Sequence, residues 1–471
     1  MSLRNLLMAG VFVLGGCSLN PDLTIPNMPV AERYPLTADI DQHNAADLSW
    51  QAMFAGDPRL QKLIELGLQN NRDYRVAMLN VETARAQFGI QRGARLPTID
   101  ANGTYVNQQI NTDFGAGAQS LQFEQFGANI AQTSFEFDLF GRLRSLSQSA
   151  FERYLATEEG RKAAQISLVS SVVEAYLSER LAEEQLALTE NTLQDWKKSL
   201  EITKTLHKAQ QNSGLDIAEA ESIVYQAQTD QEERLRARMR AENLLKLLVG
   251  SELPADLPAP IPLLDQPIIT NLPAGLPSEL LTNRPDIKQA EHELIASNAD
   301  IGAARAAFFP NVSITSAIGF TGPQLNGLFS GDTKTWSYSP QITVPLFRGG
   351  RLKGELDLAK LRKSIAVTNY EKAIQVAFRE VADGLAGRAT YDNQVNAQSK
   401  MVEAETKRLR LSNMRYKAGL DSRLQLLDAQ RTSYSAQQRL LDITYQQFQN
   451  TVLLYKALGG GKGDMPVNAS E

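Results

Sequence analysis

Apolar positions along this chain fall into two rhythms, a helical one over long tracts and an alternating one over short runs. Between Arg351 and about Ala418 they recur at Leu356, Ala359, Ala366, Tyr370, Ala373, Ala377, Phe378, Val381 and Leu385, with Lys363 at one seam position. That spacing makes a narrow stripe of mostly small residues, suited to helices packed side by side with other faces left to water. A soluble antiparallel coiled coil would carry the same stripe. The tract from Arg142 to about Ala209 has the same composition, rich in Ala, Leu, Gln, Glu, Lys and Arg. Proline supports both, since none falls between Thr98 and Ser251 or between Pro345 and Pro466. Each tract predicts a helix of roughly 65 residues, on the order of 100 Å long at 1.5 Å per residue. The mean helix of a globular protein has about 11 to 12 residues.

The alternating rhythm begins right after Pro97 and Pro310. Ala101, Gly103 and Tyr105, then Phe126, Ala128 and Ile130, alternate with more polar neighbours. Val312, Ile314, Ser316, Ile318 and Phe320 do the same, and Tyr338, Gln341 and Thr343 do so less cleanly. Runs of about ten residues fit tilted transmembrane strands, with Asp113 to Ser120 and Gly322 to Asp332 as outer loops. Nothing after Leu14 supplies 18 consecutive apolar residues, so a membrane crossing falls to strands. Four strands cannot close a barrel, and an open edge in hydrocarbon leaves unpaired backbone groups costing several kcal/mol each. The chain is therefore expected to oligomerise. An even barrel of at least eight strands admits two, three or four protomers.

The two rhythms occur twice in the same order. Asn71-Arg72-Asp73 through Gly89, Arg92 and Pro97 matches Asn283-Arg284-Pro285-Asp286 through Gly302, Arg305 and Pro310. Phe137-Asp138-Leu139-Phe140-Gly141-Arg142 matches Val344-Pro345-Leu346-Phe347-Arg348-Gly349. Ala209 to Ala220 matches Ala418 to Ala429, and Leu247-Leu248-Val249-Gly250 matches Lys456-Ala457-Leu458-Gly459. Offsets near 210 residues throughout point to a duplication. The expected organisation is a signal peptide at 1–16, a lipidated segment with short elements at 17–70 and a first repeat at 71–250. A Pro-rich linker at 251–282, a second repeat at 283–459 and a tail at 460–471 complete it.

The amino terminus adds an address. Arg4 precedes an apolar run from Leu6 to Leu14 that ends in Leu14-Gly15-Gly16-Cys17-Ser18. This is the pattern of a bacterial lipoprotein signal, with Cys17 as the lipidated residue and an outer-membrane destination. Cys17 is the only cysteine of the 471 residues, so no intrachain disulfide forms.

Composition removes other functions. The net charge of -5 comes from well-mixed acids and bases, leaving no basic stripe for nucleic acid. His43, His207 and His292 are scattered and lack a cysteine partner, so neither a metal site nor another cofactor site is expected. Gly459-Gly460-Gly461-Lys462 lacks the spacing and preceding strand of a phosphate loop. No catalytic constellation emerges, and an enzyme is not expected.

Several motifs together resemble the outer membrane factor family of TolC-like ducts, in its lipoprotein branch of multidrug exit proteins. They are Cys17-Ser18-Leu19-Asn20-Pro21-Asp22; Trp50 with Phe54, Asp57, Pro58 and Leu60; Asn70-Asn71-Arg72-Asp73; and Glu136 through Arg142. Further on come Leu281 with Arg284-Pro285-Asp286, Ile301 through Pro310, Leu427-Asp428-Ala429-Gln430-Arg431 and Tyr455 through Gly461. The resemblance implies an α+β membrane protein. Four strands per protomer would contribute to a trimeric twelve-stranded barrel, continued by a long periplasmic helical barrel with a mixed equatorial belt. It also implies a homotrimer held in outer-membrane lipid. Its partners would be a periplasmic adaptor and an inner-membrane transporter of the resistance-nodulation-division type, with no nucleic acid and no cofactor. The alternatives are a periplasmic coiled-coil adaptor or structural lipoprotein, and the same duct serving metal efflux or type I protein secretion.

By that resemblance function concentrates at the two inner turns. Leu424 would form the constriction, and Asp428 and Arg431 the links that hold it shut, on one helix face by spacing. Ser213, Gly214 and Leu215 in the first turn, with Gly419 and Ser422 in the second, would form the adaptor-docking tips. Ser213 and Ser422 equally suit helix caps. The first turn has Gln210 where the branch commonly has a glycine, and its glycine stands at Gly214, which leaves the geometry of that turn open.

Overall fold

The computed structural model describes residues 18–27, 29–31, 33–34, 48–113, 118–272, 278 and 284–461. The signal peptide and lipidation at Cys17 lie outside the described residues, as do parts of the Pro-rich linker and almost all of the tail. The chain forms two compact units, each drawing on both halves of the sequence. One comprises 1–27, 80–158 and 289–370, the other 28–79, 159–288 and 371–471.

The elements follow in the order α1 (Trp50–Met53), α2 (Pro58–Asn70), α3 (Arg72–Gly93), β1 (Ile99–Asp113), β2 (Ala118–Phe137), α4 (Arg142–Lys208) and α5 (Gly214–Val249). Then come α6 (Pro285–Ala306), β3 (Asn311–Gly322), β4 (Lys334–Thr343), α7 (Arg351–Lys417) and α8 (Arg423–Ala457). Helices α4 and α7 are both 67 residues long and end one residue before the alanines that the sequence pattern marks. Among the described residues no helix is long and apolar enough to cross a membrane.

The first unit is built on a four-stranded antiparallel sheet in the order β1-β2-β3-β4. Over Ile99–Tyr105, Phe126–Phe137 and their partners in β3 and β4, its register gathers the alternating apolar residues onto one face, because directly opposed residues share a side; farther along β1 and β2, Val106, Ile110 and Phe123 fall on the other side. Tyr105 faces Phe126, Ala128 faces Phe320, Ile130 faces Ile318, and Ile318 faces Trp336. The opposite face carries Asn102, Thr104, Asn129, Thr315, Ser337 and Ser339 at the intervening positions. A bulge between Gln132 and Phe135 inserts one residue into β2, with Ser134 at φ 34. The bulge returns Phe135 and Phe137 to the apolar face, which a regular strand would have denied them.

Two expectations change here. In β4 the apolar face is made by Trp336, Tyr338, Pro340 and Ile342, whereas Gln341 and Thr343 lie on the polar side with Ser313 and Asn311 opposite them. The expected set mixed positions of both parities. Strands β1 and β2 have 15 and 20 residues, longer than the expected ten.

Below the sheet the segment after position 17 lies docked in a groove. Asn20 accepts from the Ser145 hydroxyl at 2.8 Å and donates to Gln148 at 3.0 Å, both on α4. From α6, Asn298 donates to the Pro21 carbonyl at 2.8 Å and Arg305 to the Leu19 carbonyl at 3.2 Å. The strap fits because position 302 is glycine, where a Cβ would stand 1.7 Å from the Asn20 side chain.

The second unit has a conventional core where its short elements meet the long helices. Phe54, Leu60, Leu63, Ile64, Tyr176, Leu245, Leu263 and Tyr455 are fully buried there. Asp57 caps α2 through the Leu60 N–H at 3.0 Å and accepts the Tyr176 hydroxyl at 2.8 Å. Burial together with that bond pushes the phenol far above its ordinary range. Asn71 caps α3 through Tyr74 at 2.9 Å and donates to the Leu248 carbonyl at 2.9 Å. Arg284 opens α6 as a buried cation shared by Asp286 and Glu380, at 2.6 and 2.7 Å, and it also donates to the Ala457 carbonyl. A cation so deep keeps its charge only because two carboxylates and a carbonyl replace its water.

Candidate functional site

The two inner turns connect α4 to α5 and α7 to α8, and they share one construction. At the end of α4 the Gln211 N–H returns to the Leu206 carbonyl at 2.9 Å, and at the end of α7 the Leu420 N–H returns to Arg415 at 2.9 Å. These five-residue returns place Gln210 and Gly419 at the left-handed stop of a Schellman ending. Gly419 has φ 73 and Gln210 has φ 58. The glycine of the first turn, Gly214, is not its left-handed stop. Gly214 instead begins α5, and the left-handed position stays at 210 with a side chain on it. A left-handed L-residue costs about 1–2 kcal/mol.

Both serines are helix caps. Ser213 accepts from the Asp216 N–H at 3.3 Å, while its own N–H and hydroxyl donate to the Asp216 carboxylate at 2.8 Å each. Ser422 accepts from the Gln425 N–H at 3.4 Å, and Gln425 accepts the Ser422 N–H at 3.0 Å. Just past each cap a leucine faces outward, Leu215 at 68% and Leu424 at 66% exposure, joined by Leu420 at 68%. These leucines take no part in the chain's own core.

Leu424, Asp428 and Arg431 all lie exposed on α8, while Leu426, Leu427 and Ala429 are buried. The predicted common face is thus the one turned away from the chain's own packing. Asp428 forms its ion pair with Arg408 of α7, which also reaches Glu405 at 3.1 Å. Arg431 has no ionic partner among the described residues. Arg408 is absent from the sequence-based set. Its signal is the hairpin itself, since Arg408 and Asp428 stand ten residues either side of Ala418 and an antiparallel hairpin brings such positions together.

Behind that face the first hairpin packs onto α8. Leu193, Trp196 and Leu200 of α4 join Ala220, Ile223, Val224 and Ala227 of α5 and Leu427 of α8 in one apolar cluster. Trp196 meets Tyr434 edge-on with centroids 5.7 Å apart. A polar layer follows, in which the Thr189 and Tyr434 hydroxyls lie 2.8 Å apart and Gln185 donates to Asp442 at 2.7 Å. Beside it opens a cleft of about 660 Å³ lined by Trp196, Arg234, Met401, Asp428, Arg431 and Tyr434.

An open four-stranded sheet, followed by paired hairpins of 67-residue helices with capped, leucine-bearing turns, defines a duct-forming membrane protein. The chain belongs to the outer membrane efflux protein family, whose model matches residues 63–251 and 276–460. It is 44% identical over 466 residues to the solvent efflux pump outer membrane protein SrpC of Pseudomonas putida, covering 98% of this chain and 99% of SrpC. To the outer membrane protein OprJ of Pseudomonas aeruginosa it is 41% identical over 449 residues, 95% of this chain and 94% of OprJ. Its fold matches the open state of the Neisseria gonorrhoeae MtrE outer membrane channel with a TM-score of 0.87, at 40% identity over 94% of this chain and 98% of that one. The protein is an outer-membrane component of efflux, and the efflux channel family is one of ducts and not of enzymes.

Two predictions follow from the turns. The Ser213 hydroxyl and N–H hold the Asp216 carboxyl below the usual carboxylate range. Because the folded value lies below the unfolded one, the ionised cap stabilises the turn above the unfolded value and loses that contribution as pH falls through the folded one. Amide exchange at Gly214 to Asp216 is expected to accelerate below about pH 4, beyond its intrinsic dependence, and to lose that acceleration in Asp216→Asn. Gln210→Gly relieves the left-handed side chain at some entropic cost, a net gain of up to about 1 kcal/mol. Exchange at the end of α4 is then expected to slow roughly fivefold when read by mass spectrometry.

Proposed function

We propose that three copies of this chain form a passive exit duct through the outer membrane, and that the two inner turns of each copy close it at the periplasmic end. The sheet carries this reading. It is an open four-stranded sheet whose shared part has one apolar and one polar face, with β1 and β4 outermost, a construction that hydrocarbon tolerates only in a closed ring. Three copies supply twelve strands. Cys17 is the residue we assign to the acyl anchor.

The duct hydrolyses nothing. An inner-membrane transporter of the resistance-nodulation-division type would supply the energy, and a periplasmic adaptor would join it to the tips at Ser213, Gly214, Leu215, Gly419 and Ser422. SrpC is a solvent efflux component, and organic solvents and drugs are the cargo we assign here. Leu424 of each copy would narrow the passage, with Asp428 and Arg431 just behind it. The Asp428–Arg408 pair is solvent-exposed, and such pairs are worth about 0.2–1 kcal/mol. A single pair cannot hold a pore shut. Closure must add small terms over all copies, and seams of alanine and serine let the hairpins slide apart at modest cost.

Asp428→Ala combined with Arg431→Ala is expected to raise single-channel conductance in planar bilayers several-fold. Unchanged conductance removes these residues from the gate. Deleting the gene is expected to lower tolerance to solvents and antibiotics while copper and silver tolerance stay unchanged. The reverse pattern reassigns the duct to metal export.

A further inference from the structure

The cleft beside the polar layer has more hydrogen-bonding capacity than the chain itself uses. All four long helices of the second unit contribute to it, Trp196 from α4, Arg234 from α5, Met401 from α7 and Arg439 from α8. Its volume of about 660 Å³ suits a small organic molecule.

Charge favours an anion there. Three guanidinium groups, Arg234, Arg431 and Arg439, line the cleft against two carboxylates, Asp230 and Asp428. Asp428 is already held by Arg408. Burial raises the Asp230 carboxyl above its ordinary range, which reduces the negative charge it sets against an incoming anion. Among the described residues none of the three arginines forms an ion pair.

Two buried polar atoms on lining residues are also unsatisfied. Arg234 donates to Gln185 Oε1 at 2.8 Å, while its Nε has no acceptor. Gln438, 8% exposed, directs its amide N–H groups to the Thr189 and Tyr434 hydroxyls at 3.2 Å each and leaves its Oε1 without a donor. A buried group left unpaired costs about 1–3 kcal/mol. An anion that also carries a hydroxyl satisfies both at once. The apolar part of the lining completes the picture, since Trp196 and Tyr434 offer aromatic edges and Met401 an exposed thioether, surfaces suited to a flat ring.

We propose that this cleft is a binding site for an aromatic anion, by class a hydroxyaryl sulfonate or carboxylate. Its acidic group meets Arg234, Arg431 and Arg439, its ring lies against Trp196, Tyr434 and Met401, and its hydroxyl donates to Gln438 Oε1. Because α4, α5, α7 and α8 all contribute, an occupant ties the two hairpins together. On the duct reading above, that tie holds the inner end closed.

The test is isothermal titration calorimetry on the full-length protein in mild detergent, with a hydroxynaphthalenesulfonate as the probe and empty micelles as the blank. Saturable binding at one site per copy is expected, and naphthylmethylammonium, a cation on the same ring, is expected to bind at least about tenfold more weakly. Arg439→Gln and Arg234→Gln are each expected to weaken the anion about tenfold, whereas Arg410→Gln, on α7 outside the cleft, binds as the parent does. Arg439 is exposed and unpaired, so it decides the matter should Arg234→Gln fail to fold. Absence of saturable binding, equal affinity for anion and cation, or an Arg439→Gln protein that binds like the parent overturns the site. Naphthalenesulfonate lacking the hydroxyl is expected to bind several-fold more weakly, and equal affinity removes Gln438 from the site. In planar bilayers the probe is expected to lower the open probability of the parent and not of Arg439→Gln. Unchanged gating with binding intact overturns the tie between hairpins, while a protein that binds the probe and forms no channel overturns the duct reading and not the site.

Discussion

A backbone N–H or C=O in hydrocarbon has no water to turn to, and each one left unpaired costs several kcal/mol. Strands β1 and β4, fifteen and ten residues long, are the outermost strands of the sheet, so their outer edges carry such groups. The penalty exceeds anything the four-stranded sheet could gain alone, and it dictates the rest of the molecule. It requires more than one copy, it requires edges that match, and it fixes which face of each strand meets lipid. The bulge in β2 shows how strictly the face is kept, since the strand adopts an irregular backbone at Ser134 to hold Phe135 and Phe137 on the apolar side.

The second unit shows the opposite strategy from the sheet. Around Tyr176, Asp57, Arg284 and Tyr455 every buried polar group named above has a partner within the chain. These polar groups are satisfied inside that core, while the leucines at the inner turns face outward.

At the turns themselves the fastenings are local and small. Both are fastened by capping boxes and Schellman endings, local devices worth about 1 kcal/mol each, and one of them carries a strained residue at Gln210. The outward face of α8 adds one exposed ion pair. Interactions of this size can be exchanged for others without unfolding the apolar cluster of Trp196, Ile223 and Leu427 behind them.

Much of this was legible in the residues. Uninterrupted proline-free tracts and a seam of alanines set the two 67-residue helices, because helix length and boundary are local properties of composition, caps and breakers. Alternation after Pro97 and Pro310 set three of the strands for the same local reason. It failed in β4, where aromatic, proline and serine residues blur the period and only pairing with β3 shows that Tyr338 and Ile342 share a side and Gln341 does not. The common face of Leu424, Asp428 and Arg431 could be read from helical spacing. That Gly302 makes room for Asn20 could not, because it depends on which distant backbone arrives beside it. Sequence alone determined what each segment would become and that the chain could not stand alone. The tertiary structure decided which side chains meet, since those contacts belong to the packing of remote segments and not to any one of them.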